Sequence, residues 1–334
     1  MPATTERRWT ASVFNDSIMI KLQRIILETK PVQAIIHWSK QLRLPGFEGI
    51  PLYDVVLFFL KQTQQIGLNE RAASIAFNFL MAVPPLLIFL FTFLSYIPGS
   101  KSLYAEILVL LFTIIPDDRT YSMIKQVLDD FFNAGTGTLS FGLLLAIYFS
   151  SNATLTIMRT FRKSMLHIEV ENRNFLEIRW SAIQLTMLII FLVIATILIM
   201  LTQTIFFKWL TASLDIKAGA AAFLFNLAQI SITFLLIYLS IGLIYRYAPH
   251  VQKKWSIASP GTLLATLLII AFTYLFSYWV NNISSYNKIY GSLGSILILM
   301  FLVFFNSLVL LIGFELNVSI NSLKAISQKR TSSP

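Results

Sequence analysis

The sequence predicts an all-α membrane protein: a polytopic helix bundle with six transmembrane helices and both termini in the cytoplasm. Three observations predict it: six long apolar windows, a composition far from the soluble norm, and basic residues that alternate from loop to loop. The windows are 74–97, 139–161, 181–207, 220–247, 257–280 and 293–316. As helices of about 23–28 residues they are about 35–42 Å long, enough to cross a hydrocarbon core of about 30 Å with some tilt. Hydrophobic residues make up 56% of the chain and charged residues 13%, the balance of a chain solvated largely by lipid. With the N terminus inside, 20 of the 26 Lys and Arg fall in the cytoplasmic segments. That is the positive-inside pattern, and it accounts for the net charge of +10 without a nucleic-acid partner.

Residues 1–70 form a cytoplasmic amphipathic segment ahead of the first span. Ile18, Leu22, Ile25 and Ile26 recur at helical spacing among Lys21, Arg24 and Glu28. Leu52, Val55, Val56, Phe59 and Leu60 make a second stripe, too short to cross. Such stripes lie at the headgroup level, their cations toward anionic lipid, or dock against the membrane domain. The opening residues include Glu6, Arg7, Arg8 and Asp16 and no apolar core, so the first span is expected to act as its own insertion signal. Gly67 ends the second stripe, and Asn69 is the expected N-cap of span one.

The membrane domain covers 71–320, with a cytoplasmic tail at 321–334. Between spans one and two, residues 103–115 are apolar but short and interrupted by Glu106, which fits a re-entrant or interfacial piece. Asp117–Asn133 carries Tyr121, Ile124, Leu128, Phe131 and Phe132 on one face and reads as an extracytoplasmic amphipathic helix. Arg179-Trp180-Ser181 and Lys254-Trp255-Ser256 open spans three and five alike, either as a duplicated hairpin or as two interfacial Trp anchors.

Polar residues inside spans face partners or a wet cavity, because hydrocarbon satisfies none of their hydrogen bonds. Asn78, Asn152, Asn226, Gln229, Asn306 and Ser307 suggest a polar seam inside the bundle. Pro84-Pro85 removes two helix donors in span one, which either lines a path or simply kinks the helix. Arg71 opens span one and Glu315 closes span six at the same membrane face, so the two charges can pair as a latch or gate; Arg71 can also snorkel to lipid phosphate. Pro260-Gly261 is a further backbone break. Tyr286, Tyr290, Gly291 and Gly294 fit an outer turn or close packing at the head of span six.

These pieces also carry a resemblance. Arg71-Ala72-Ala73 with Pro84-Pro85, Tyr245-Arg246-Tyr247-Ala248-Pro249, Pro260-Gly261, Ser285-Tyr286 with Tyr290-Gly291-Ser292-Leu293-Gly294, and Gly313-Phe314-Glu315-Leu316-Asn317 resemble, in order, the YihY/BrkB family of bacterial inner-membrane proteins. That family has also carried the name ribonuclease BN. The resemblance implies six spans in the bacterial inner membrane and no settled activity, and it begins after residue 50.

The chemistry visible in the residues argues against an enzyme. The chain has no Cys and three scattered His, so no cofactor and no metal site are expected, and no hydrolase or Walker motif occurs. The leading expectation is a transporter or lipid-handling protein of the cell envelope for an anionic or amphiphilic substrate. Anionic membrane lipids would be its partners, met by Arg71, Arg159, Arg162 or Arg246. The alternative is a non-transporting scaffold for envelope assembly. A second copy of the chain and envelope proteins are the protein partners such a bundle admits.

Overall fold

The computed structural model describes residues 30–331 except 66, 97–100, 102–103, 106, 110–117, 135, 166–167, 169, 172, 193–194, 196–217, 252–253 and 283–291. The chain divides into two compact units, 63–318 and a second made of 1–62 with 319–334.

Among the described residues, six helices are long and apolar enough to cross a membrane. They are α3 (Leu68–Leu94), α5 (Thr136–Ser164), α6 (Phe175–Leu192), α7 (Ala218–Tyr247), α8 (Pro260–Asn282) and α9 (Ser292–Thr331). Their order matches the six apolar windows, while the ends depart from them in instructive ways. Helix α3 begins at Leu68, six residues before its window. Gly67 takes the N-cap position at φ +65°, and no side chain caps the helix, so Asn69 lies inside the first turn rather than capping it. A cap must leave the helical region, and glycine does that at no steric cost. The helix also runs unbroken through Pro84 and Pro85, so the two prolines do not divide it.

Helix α6 starts at Phe175, ahead of its window, where the backbone N–H of Asn174 donates to the Glu177 carboxylate at 3.2 Å. Pro260-Gly261 is not a break within a span but the first turn of α8. Ser259 precedes it and accepts the Thr262 N–H at 3.3 Å, and proline is well placed at a first helical position because no donor is lost there. Helix α9 is 40 residues long and includes residues 321–331.

The amphipathic helix between spans one and two is α4 (Asp118–Phe132), within a residue of the expected bounds. Tyr104 stacks on its Phe132 at 4.3 Å and donates to Asp129 at 2.9 Å. Desolvation, helped by that carboxylate, raises the Tyr104 pKa above its ordinary value, which keeps the phenol a donor. Helices α3 and α5 approach closely because Gly142 faces the Phe89 backbone and Ile88, with no side chain of its own to hold them apart.

In the smaller unit, α1 (Lys30–Gln41) and the first part of α2 (Leu52–Gln65) are joined by a turn closed by Leu52 N–H to the Leu42 carbonyl at 3.0 Å. Gly46, Glu48 and Gly49 all have positive φ in that turn. The Glu48 carboxylate accepts from Lys324 at 2.6 Å. The stripe at Ile18–Ile26 and the outer-turn residues Tyr286, Tyr290 and Gly291 lie outside the described residues. Gly294 lies in the first turns of α9.

The core of the larger unit sits at one end of the membrane helices. It joins the start of α3 (Ala72, Ile75), the end of α5 (Leu155, Met158, Phe161), the start of α6 (Ala182, Leu185), the end of α7 (Ile241, Tyr245), the start of α8 (Ala265) and the second half of α9 (Leu311, Phe314, Val318). Phe161 and Phe314 stack at 3.6 Å, with Tyr245 edge-on to both and Trp255 against Phe314. Alternating helix direction brings six distant stretches of chain together here.

Candidate functional site

At this end a charge pair is buried among aromatic rings. Arg71 Nη1 donates to Glu315 Oε1 at 3.1 Å, and Glu315 has no solvent-exposed surface. Arg71 Nη2 donates to Ser164 Oγ at 2.7 Å and to the Thr160 carbonyl, while the Ser164 hydroxyl donates to Glu315. Three helices are thereby tied: α3 by the guanidinium, α5 by a hydroxyl and a carbonyl at its end, and α9 by the carboxylate. The pairing expected from topology is present, and it leaves Arg71 directed into protein, not toward lipid phosphate. Two charges removed from water need such a set of partners, because the desolvation cost of each is several kcal/mol.

The neighbouring joint is made of backbone. Tyr245 donates to the Leu310 carbonyl at 2.6 Å. Asn317 accepts the Gly261 N–H at 2.9 Å and donates to Ser259 at 2.8 Å, so one side chain of α9 completes the N-terminal turn of α8. A Cβ on Gly261 would collide with the Gly313 carbonyl oxygen, and one on Gly313 would lie 2.6 Å from the Gly261 carbonyl oxygen. Only glycine at both positions permits this crossing. The scattered stretches 71–73, 245–249, 260–261 and 313–317 therefore converge on one structure.

Beside the charge pair lies a small cleft of about 40 Å³ lined by Met158, Arg159, Arg162, Val170, Glu171, Arg173, Ile178 and His250. Its floor is held where the connection after α5 meets the one after α7: Val170 and Val251 form an antiparallel bridge, and the Glu171 N–H donates to the His250 carbonyl at 3.0 Å. Arg173 pairs with Glu171 at 2.8 Å. Burial, then the nearby Arg173 and Arg162 guanidiniums, lower the His250 pKa against the opposing pull of Glu171. Its Nε2 is buried and has no partner among the described residues. Arg173 and His250 were not singled out by sequence reasoning. A basic residue two positions after an acidic one is a common surface pattern, and only the bridge between two loops far apart in the chain makes it a site.

The polar positions read from the spans behave differently from one another. Asn152 accepts from Arg179, whose guanidinium also lies 4.6 Å above the Tyr148 ring, and Thr186 donates to Thr154 at 2.8 Å between α6 and α5. Asn78 and Asn306 instead donate to the carbonyls of Ser74 and Leu302 on their own helices. Asn226 and Gln229 are exposed. Arg246 is half-buried over the Tyr247 ring, away from the cleft lining. Among the described residues no group of His and carboxylates could hold a metal ion.

A family model described as virulence factor BrkB matches residues 59–333. The chain is 28% identical over 264 residues to YfkH of Bacillus subtilis, named a ribonuclease-like protein; the match covers 77% of this chain and 92% of that one. It is 25% identical to a UPF0761 membrane protein of Tolumonas auensis, over 79% of this chain and 84% of the relative. A UPF0761 membrane protein of Psychromonas ingrahamii is 24% identical over 80% and 88% respectively. No solved structure matches.

Proposed function

Because this chain belongs to the virulence factor BrkB family of multi-pass membrane proteins, we propose that it handles an anionic amphiphile in the bacterial inner membrane, as a transporter or lipid-handling protein. The observation that carries this reading is the arginine cleft next to the Arg71–Glu315 pair. Three guanidiniums and one carboxylate give it a net positive charge at the mouth of an otherwise apolar bundle. A water needs at least about 10–15 Å³ of such volume, so 40 Å³ suits a few waters or a phosphate-sized headgroup and excludes a whole lipid. Arg159 and Arg162 would take the headgroup, with bidentate guanidinium geometry suited to phosphate, while acyl chains stay in the bilayer. On this reading the cleft faces the cytoplasm, as the excess of Lys and Arg on that side argues.

The contact work of Arg71 is taken up by Glu315, Ser164 and Thr160, so its role is to latch α3 to α9 beside the cleft. Native mass spectrometry of the protein in mild detergent tests the reading. Wild type should retain anionic phospholipid, and Arg159→Gln/Arg162→Gln should retain several-fold less while unfolding at the same temperature. Equal retention by both proteins would sink it.

The separate unit built from 1–62 and 319–334 favours a second reading, a scaffold that recruits envelope-assembly proteins. Removing residues 1–50 should abolish a scaffold's function and leave lipid retention unchanged.

A further inference from the structure

We propose that α7 pairs inside the membrane with α7 of a second copy of this chain, through Asn226, Gln229 and Thr233. The inference rests on the membrane reading and is independent of the substrate.

Helix α7 runs Ala218–Tyr247, 30 residues or about 45 Å. A hydrocarbon core of about 30 Å centred on that helix puts Asn226 about 10 Å and Gln229 about 5 Å from the midplane. Both side chains are exposed and have no hydrogen-bond partner among the described residues. The contrast with Ser231 and Ser240 is direct: those hydroxyls donate back to the carbonyls of Leu227 and Leu236 at 2.8 Å and need nothing else. Two free primary amides at that depth are a cost that acyl chains cannot relieve.

Water is a poor answer, because the positions beside them are apolar and exposed: Leu227 and Ile230 flank Gln229 as a lipid-facing helix would. A second α7 is a good one. Each amide is both donor and acceptor, so an identical helix related by a twofold axis offers each Asn and Gln what it lacks. Positions 226, 229 and 233 are spaced three and four apart, the spacing of a left-handed helix seam, and amides in such seams hold membrane helices together.

The chain contains no cysteine, which makes the test clean. Single substitutions Asn226→Cys, Gln229→Cys, Thr233→Cys, Leu227→Cys and Leu235→Cys, the last two on other faces of the helix, are oxidised in native membranes, and disulfide-linked dimers are measured. The first three should give at least about fivefold more dimer than the last two, following the three-four repeat. Uniform yields across all five positions would overturn the proposal. Rapid labelling of the Asn226→Cys and Gln229→Cys variants by a charged maleimide, without dimer, would overturn it too, because it means a wet path. So would a cross-linked band at a mass other than twice the chain, which means another partner. Photobleaching of labelled protein in liposomes adds an equilibrium readout. Asn226→Leu/Gln229→Leu should weaken dimerisation by about 3- to 30-fold, and unchanged association would also overturn it.

Discussion

The two ends of the membrane helices are built on different terms. At the Arg71 end, Tyr245, Phe161, Phe314 and Glu315 are completely enclosed, and Arg71, Tyr245 and Asn317 hydrogen-bond to other helices. Toward the far end of α6, α7 and α8, Phe191 is 68% exposed, Phe223 68% and Tyr274 72%. In water such exposure would be untenable. In a bilayer it has little cost, because acyl chains are as apolar as the side chains they replace. The difference teaches that hydrophobicity holds these helices in the membrane, while polar pairing and backbone approach hold them to one another.

Substitutions can break that contrast in graded steps. The largest effect should come from the charge pair: Arg71→Met leaves Glu315 buried and uncompensated, a loss of about 3–5 kcal/mol. The joint change Arg71→Met/Glu315→Leu should recover much of it. Thermal unfolding in detergent checks both, and a double variant no better than the single would show that the pair does not act as a unit. Next come the glycines. Gly261→Ala places a methyl into the Gly313 carbonyl and must push α8 from α9, at about 1–3 kcal/mol or more, read in the same assay.

Acidification should give a smaller change. The His250 pKa is lowered in the fold, so the neutral ring is the stable form and the unfolded chain binds the proton more readily. Stability should therefore hold above pH of about 6.5 and fall as pH drops from there toward the lowered value. His250→Gln should flatten that slope, and an unaltered slope would mean another group titrates. The smallest effect belongs to the far half: Leu275→Ala on α8 should shift stability by no more than about 0.5 kcal/mol, because it leaves no cavity between helices. A loss as large as that at Gly261 would mean the residue is covered by protein.

How much was legible beforehand follows the same division. The number and order of spans were readable because lipid imposes a length and an apolarity that no packing detail can override. The Arg71–Glu315 pair was readable as well, since topology alone returns the start of span one and the end of span six to one membrane face. Asn69 was misjudged as a cap because glycine at φ +65° does the work without a side chain. Pro84-Pro85 read as either a path-lining break or a simple kink, and α3 runs as one helix from Leu68 to Leu94. Arg173 and His250 could not be foreseen as neighbours, because their meeting depends on the bridge between Val170 and Val251.

The amino-acid sequence by itself determined the membrane class, the six helices long and apolar enough to cross, and the family, since each is a property of composition, spacing and residue order. Only the tertiary structure decided which polar side chains are spent on packing, which line the arginine cleft and which, as at Asn226 and Gln229, have no partner among the described residues. The physical reason is that a hydrogen bond acts over about 3 Å. Its partner is therefore chosen by helix rotation and register, which hydropathy leaves open.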